Sequence, residues 1–267
     1  MENSLFETPE NAEDTVILPI GIEKDGTRYN KVVIDELSGV DEQLLSNKRK
    51  TGGNNAKGMT LILARSIQEI EGLVPRKKNP DQLIDVNITR NMYQIDRDFL
   101  FSRIQILTGN DDTKLSGQCP RCKAQFEQDV KVSEREVIHW PENESCELEF
   151  ELPRGYTEVL KDGVKLHKKG RIRFPTGADQ EALVRTSSDN LGKAMSSMIA
   201  ACVLKLGELD HLDQQMAARL KSRDRKYLME KVIRDKSPGL KVWEVVTCYD
   251  CGYPELEATV DITGFFG

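Results

Sequence analysis

CPRCKAQFEQDVKV (residues 119–132) and CYDCGYPELEATVDI (residues 248–262) follow one pattern, a Cys-x-x-Cys pair leading into an alternating, strand-like run. Their offset is 129 residues (119 to 248), and matching anchors precede them in the same order. Asp96-Arg97-Asp98-Phe99-Leu100 stands beside Asp224-Arg225-Lys226-Tyr227-Leu228, an offset of 128 (96 to 224). Gly39-Val40-Asp41 stands beside Gly177-Ala178-Asp179, an offset of 138 (39 to 177). Between these lie Lys57-Gly58-Met59 and Lys193-Ala194-Met195, each opening an apolar run. Four anchors in one order read as an internal duplication. The longer linker GLVPRKKNPDQLIDV of the first copy accommodates the drift in offset.

Each unit predicts a β segment, 14–37 and about 146–174, with turn signals at Lys24-Asp25-Gly26 and Lys161-Asp162-Gly163. A short helix follows, with Asp41 or Asp179 near its N-terminus as acceptor for orphan N–H groups. Next comes an apolar helix, carrying Leu61, Ile62, Ala64, Ile67 and Ile70 in one copy and Met198, Ile199, Cys202, Val203 and Leu206 in the other. A further helix starts near Asp96 or Asp224, and its apolar positions match only in part between the copies. The expected fold is α+β: two pseudo-symmetric repeats of β segment, helices and CxxC knuckle. Residues 1–14 read as a disordered acidic arm, 15–140 as unit one and 141–267 as unit two.

A CxxC turn sets two thiolates on one side of a tight knuckle, and zinc prefers four such ligands in a closed structural site. Each copy offers two, so Cys119, Cys122, Cys248 and Cys251 are expected to share one structural zinc across a pseudo-twofold axis. Ordinary ribbons separate the pairs by about 15–20 residues. Here a whole helical unit intervenes, and the metal would staple the halves together. Cys202 sits in the apolar run MIAACVL as a small core residue, and Cys146 has no assigned role.

The remaining composition excludes more than it assigns. A net charge of −6 argues against a general nucleic-acid binder, and no apolar run approaches a membrane span. The segment 52–60, GGNNAKGMT, lacks the Gly-Lys-Ser/Thr order of a phosphate-binding loop. Lys48-Arg49-Lys50 reads as a solvated loop. His139, His167 and His211 are scattered without a nucleophile, and neither paired carboxylates nor a cofactor loop stands out. The expectation is therefore non-enzymatic, with the Asp-Arg pairs fixing helices rather than doing chemistry. His139, Trp140 and Trp243 are expected to pack beside the metal.

The order of a β segment ending in GxDE, a basic linker, an apolar helix, DRDFLFSRIQILTGN (96–110) and CPRC resembles a known family. It is similar to the zinc-ribbon baseplate hub and tail-assembly proteins of contractile-tailed, T-even-like bacteriophages, from about Val16 onward. The resemblance implies a structural component of the tail baseplate, made in the host cytoplasm and carried into the virion. Its partners would be hub, wedge, tube or tape-measure proteins, with self-association open. A tail-assembly chaperone absent from the mature virion and a zinc-ribbon nucleic-acid-binding regulator are the alternatives.

Overall fold

The computed structural model describes residues 13–46, 54–80, 82–187 and 191–260, and the chain is mixed α/β with antiparallel sheets. The expected arm, apart from its last two residues, and the Lys48-Arg49-Lys50 cluster lie outside the described residues. Glu13 and Asp14, assigned to the arm from sequence, belong instead to the first strand, and Arg103 Nε donates to the Asp14 carboxylate at 3.0 Å. Among the described residues no helix is long and apolar enough to cross a membrane.

Strands β1 (Glu13–Lys24) and β2 (Thr27–Asp35) form a hairpin. Its two-residue turn, Asp25-Gly26, takes positive φ at both positions (51° and 77°), which matches the twist of paired strands. Helix α1 (Gly39–Ser46) follows. Helix α2 (Asn55–Ser66) then runs straight into β3 (Ile67–Ile70), which pairs with β2. After α3 (Val86–Asn91) and α4 (Gln94–Leu107) come β4 (Asp112–Gln118), β5 (Gln125–Lys131) and the short β6 (Val137–Ile138).

The chain then forms a second hairpin, β7 (Glu147–Leu160) and β8 (Gly163–Arg173). Helices α5 (Gly177–Ser187) and α6 (Leu191–Cys202) lead into β9 (Val203–Leu206), which pairs with β8. Helix α7 (Gln214–Arg219) and α8 (Ser222–Lys226) follow, α8 continuing as a π-helix over Tyr227–Arg234. Strands β10 (Gly239–Leu240), β11 (Trp243–Val246) and β12 (Leu256–Val260) close the described chain.

The apolar runs expected to be wholly helical end differently. Ile67, Ile70, Val203 and Leu206 are strand residues, all buried, because the chain leaves the helix without a loop (Ile67 has ψ 118°) to extend a sheet. The three-stranded sheets have orders β1-β2-β3 and β7-β8-β9. Each covers its own core. One core holds Leu18, Val32, Ile34, Leu63, Leu100 and Ile104, the other Phe150, Leu152, Ile172, Phe174, Ile199 and Leu228. Ile20 crosses over, packing into the second core from the first hairpin.

One polar device ties helix to sheet in each half. Leu18-Pro19-Ile20-Gly21 and Leu152-Pro153-Arg154-Gly155 sit at the register shifts of β1 and β7, with Gly21 and Gly155 at φ 101° and 88°. A Cβ at Gly21 would stand 2.9 Å from the Arg28 side chain and 3.0 Å from the Tyr29 carbonyl, so the bulge needs glycine twice over. The N–H groups that the bulges leave out of the strand pairing go to the helix aspartates. Asp96 accepts from Ile20 (2.8 Å) and Gly21 (3.0 Å), and Asp224 accepts from Arg154 (2.7 Å). The adjacent arginines point the other way. Arg97 donates to the Ala56 carbonyl and Thr60 Oγ1, and Arg225 to the Gly192 carbonyl and Ser196 Oγ, each at the first turns of α2 or α6.

Helix starts also follow the residues singled out in the sequence. The Asp41 carboxylate accepts the N–H of Ser38 (2.8 Å), and Asp179 accepts that of Thr176 (2.8 Å), both as the returning arm of a capping box. Asn54, from the stretch compared with a phosphate loop, is the N-cap of α2 and accepts from the Lys57 N–H.

Candidate metal centre

Two hairpin-like turns build the site. Strands β4 and β5 flank residues 119–124, and β11 and β12 flank residues 247–255. In each turn the first cysteine makes the same pair of backbone bonds. The Cys119 N–H donates to the Ala124 carbonyl (2.9 Å), and its carbonyl accepts from Lys123 (2.9 Å). The Cys248 N–H donates to the Tyr253 carbonyl (2.8 Å), and its carbonyl accepts from Gly252 (2.9 Å). This winding forces the residue after the second cysteine into left-handed backbone: Lys123 has φ 65° and Gly252 φ 67°. A side chain there costs about 1 kcal/mol or more. Lys123→Gly is therefore expected to raise stability by about 1 kcal/mol and Gly252→Ala to lower it by a similar amount, read from urea midpoints.

The two turns meet. The Sγ atoms of Cys119, Cys122, Cys248 and Cys251 all lie within 4.8 Å of one another, a group that could hold a metal ion. Cys119 faces Cys251 and Cys122 faces Cys248, both at 3.7 Å. Four sulfurs at 2.3 Å around a tetrahedral zinc stand about 3.8 Å apart, so the dimensions fit. The crossed pairing of first with second cysteine is what a twofold exchange of the knuckles would leave unchanged. The surrounding sheet does not share that symmetry: its order is β11-β12-β4-β5, placing β12 against β4 through Thr259↔Ser116 and Val260↔Leu115.

The electrostatics favour a cation. Burial opposes ionisation of Cys119, but N–H groups of Cys122 and Arg121 aimed at its sulfur, with the neighbouring thiols, bring it down to about 6. The Ala124 N–H draws Cys122 down, yet burial and three adjacent sulfurs drive it up to about 12. Four sulfurs this close cannot all carry charge unless a positive ion sits among them.

Packing reinforces the junction. Leu115, Phe126, Leu256, Ala258 and Val260 are buried with Cys119 and Cys248 in a third, separate core. Tyr249 of the second knuckle lies over Phe126 beside the first, ring centres 5.5 Å apart. Trp243 is in β11, with the Arg234 guanidinium 5.7 Å from its ring. Trp140, expected beside the metal, packs instead against Phe174 (5.4 Å) in the second half's core. His139 Nδ1 contacts the Leu18 carbonyl and the Trp140 N–H donates to the Pro19 carbonyl, so this pair braces the first bulge. Cys146 is half of another contact: Arg28 Nη2 donates to its sulfur (3.3 Å) and to the Glu144 carbonyl (2.8 Å). Burial pushes the Cys146 thiol up to about 11, which keeps it protonated and unreactive at neutral pH. Cys202 is fully buried, its thiol 3.6 Å from Met198 Sδ. His167 is buried against Glu158 (2.9 Å).

The sequence had not suggested the cluster at the joint of the halves. Glu181 accepts from Thr60 Oγ1 (2.6 Å) and Arg90 Nε (3.1 Å), and Thr60 Oγ1 in turn accepts from Arg97 (3.0 Å). Nothing local marks Glu181, since its partners lie 91 and 121 residues away in sequence. The chain matches no family model, no curated protein and no solved structure.

Proposed function

We propose that the chain is a tandemly duplicated scaffold protein whose halves are stapled by one zinc held by Cys119, Cys122, Cys248 and Cys251. The observation that carries this is the four-sulfur cluster, built from one thiol pair of each half. All four donors are thiols and three are at least partly buried, the ligand set of a closed structural site. The matched bulge, Asp-Arg and capping devices support a duplication. The sheet order argues that the second unit docked by strand addition rather than by an exact twofold.

Within that class we assign it to the tail baseplate of a contractile-tailed phage, as a non-enzymatic structural or assembly component. The family resemblance across 96–110 and 119–122 supports this. So does the β7–β8 hairpin, whose tip exposes Val159, Leu160, Val164 and Leu166, a surface suited to burial against a neighbouring tail protein. Mass spectrometry of purified virions tests the assignment. Peptides of this chain are expected in the particle at baseplate stoichiometry. Their absence from virions but presence in tail-assembly intermediates would make it a chaperone. Binding to DNA or RNA that weakens with salt would move it to the regulators instead.

A further inference from the structure

On the reading of the chain as a scaffold that binds neighbours, we propose that the cleft between α4, β10 and the π-helix receives a lysine side chain of a partner protein. The ammonium would sit on Asp98 and the stem along Ile95, Phe99 and Trp243. The cleft has a volume of about 350 Å³, and α4, the π-helix, β10 and β11 all contribute to its walls.

The charge of the lining is unbalanced at one residue. Asp98, Arg234, Asp235 and Lys241 are its charged members. Arg234 pairs with Asp235 (3.2 Å) and Glu257 (3.6 Å), Asp235 also with Lys231 (2.8 Å), and Lys241 with Glu136 (3.3 Å). Among the described residues Asp98 has no ion pair. Its Oδ2 accepts from Gln94 Nε2 at a long 3.4 Å, and its Oδ1 takes no hydrogen bond from a described residue. The guanidinium of the adjacent Arg97 is turned away, onto Ala56, Thr60 and Thr89. Burial pushes the Asp98 carboxyl up to about 6, so at neutral pH it is mostly charged without a counter-ion. A partly buried carboxylate in that position gains from a cation brought into the cleft.

The shape of the site selects among cations. One free oxygen suits the compact ammonium of lysine better than the two-pronged guanidinium of arginine. The apolar walls of Ile95, Phe99 and Trp243 suit a four-carbon stem. Ile138, in the same lining, is 45% exposed, so the cleft is too open to enclose a free amine and favours a side chain held by its own backbone.

Trp243 reports the outcome. The chain has two tryptophans, and Trp140→Phe leaves Trp243 as the sole emitter. In that full-length background the peptide acetyl-Leu-Lys-Leu-amide is expected to change Trp243 emission saturably. The same peptide with norleucine for lysine should bind at least about tenfold more weakly, through loss of one charge-assisted hydrogen bond. Asp98→Asn should weaken the lysine peptide by a similar factor, and so should lowering the pH from 7.5 to 5, which protonates Asp98. No saturable response, or equal binding of the two peptides with Asp98 in place, would overturn the proposal whatever the folding of the variant. Undiminished binding of the lysine peptide by a folded Asp98→Asn chain would overturn it as well. Binding of n-hexylammonium as tight as that of the peptide would make the cleft a small-amine site and overturn the assignment to a partner protein. Zinc content and virion composition are read separately, so a failure here is distinguishable from a failure of the scaffold reading.

Discussion

If the proposed zinc staple holds, removing the metal is expected to melt the four-stranded sheet β11-β12-β4-β5 while the two three-stranded sheets and their helices stay folded. The sheet's own core is small, and two of its seven buried residues, Cys119 and Cys248, belong to the four-sulfur cluster that could hold a metal. Without a metal, the four sulfurs repel one another as they ionise. Zinc binding by small Cys-rich peptides is worth on the order of 10 kcal/mol, more than such a core supplies. The other two cores hold no member of the tetrad and close around β1-β2-β3 and β7-β8-β9. Elemental analysis should give one zinc per chain, lost alike from Cys119→Ser and Cys248→Ser. Hydrogen exchange should then rise steeply in 112–131 and 243–260 and little elsewhere. Zinc retained by Cys248→Ser would mean that each half binds metal separately, and the staple would be wrong. Uniform exchange across the chain would mean that the sheet is not a separable unit.

The two knuckles were legible because thiol pairs at CxxC spacing admit few uses in a chain of this kind, and because nothing but geometry separates a pair from its partner. The hairpins and capping aspartates were legible for a similar reason: Asp25-Gly26 and Asp41 act within three or four residues of themselves. What escaped was non-local. Helix α2 passes into β3 without a break, and the apolar spacing of Ile67 and Ile70 suits either state until β2 is there to pair with. The partial match of the Asp224 helix to its counterpart has a structural cause. Its second part is a π-helix: Leu228 and Val232 keep an i, i+4 spacing, but the wider turn also brings Ile233, at i+5, to the buried face. Trp140 was misplaced because proximity in sequence to Cys122 suggested proximity in space. The chain instead carries it back to the Pro19 carbonyl. The Leu-Pro-x-Gly bulge occurs in both halves and could have been found as a fifth anchor. Its meaning appears only when the Asp96 and Asp224 carboxylates arrive from some 70 residues away.

That bulge clasp sets up an asymmetry between the halves. Asp96 and Asp224 are both fully buried, but Asp96 holds two N–H groups, whereas Asp224 holds the one N–H of an exposed Arg154. Asp96→Ala should cost about 3–5 kcal/mol, because two buried donors lose their acceptor, and Asp224→Ala roughly half as much. Arg97 adds the second contrast. It is fully buried, donates to the Thr89 carbonyl (2.7 Å), and reaches Glu181 of the other half through Thr60. Among the described residues Arg225 donates to its own half's α6 alone. Arg97→Ala should therefore cost about 3–5 kcal/mol by leaving Glu181 buried with less compensation, against about 1 kcal/mol for Arg225→Ala. Burial also pushes the Asp96 carboxyl up to about 7, against the two N–H bonds that favour its charge. A raised folded-state value means the folded chain binds the proton more tightly than the unfolded one. Stability should therefore fall as pH rises from about 4 through about 7, by up to about 4 kcal/mol at ~1.4 kcal/mol per pH unit. Asp98, raised to about 6 by burial, acts in the same direction. Urea midpoints measured from pH 4 to 8 should slope downward in the wild type and flatten in Asp96→Asn. A slope that survives unchanged in Asp96→Asn would assign the titration elsewhere, and equal costs for Arg97→Ala and Arg225→Ala would remove the link between the halves at Glu181.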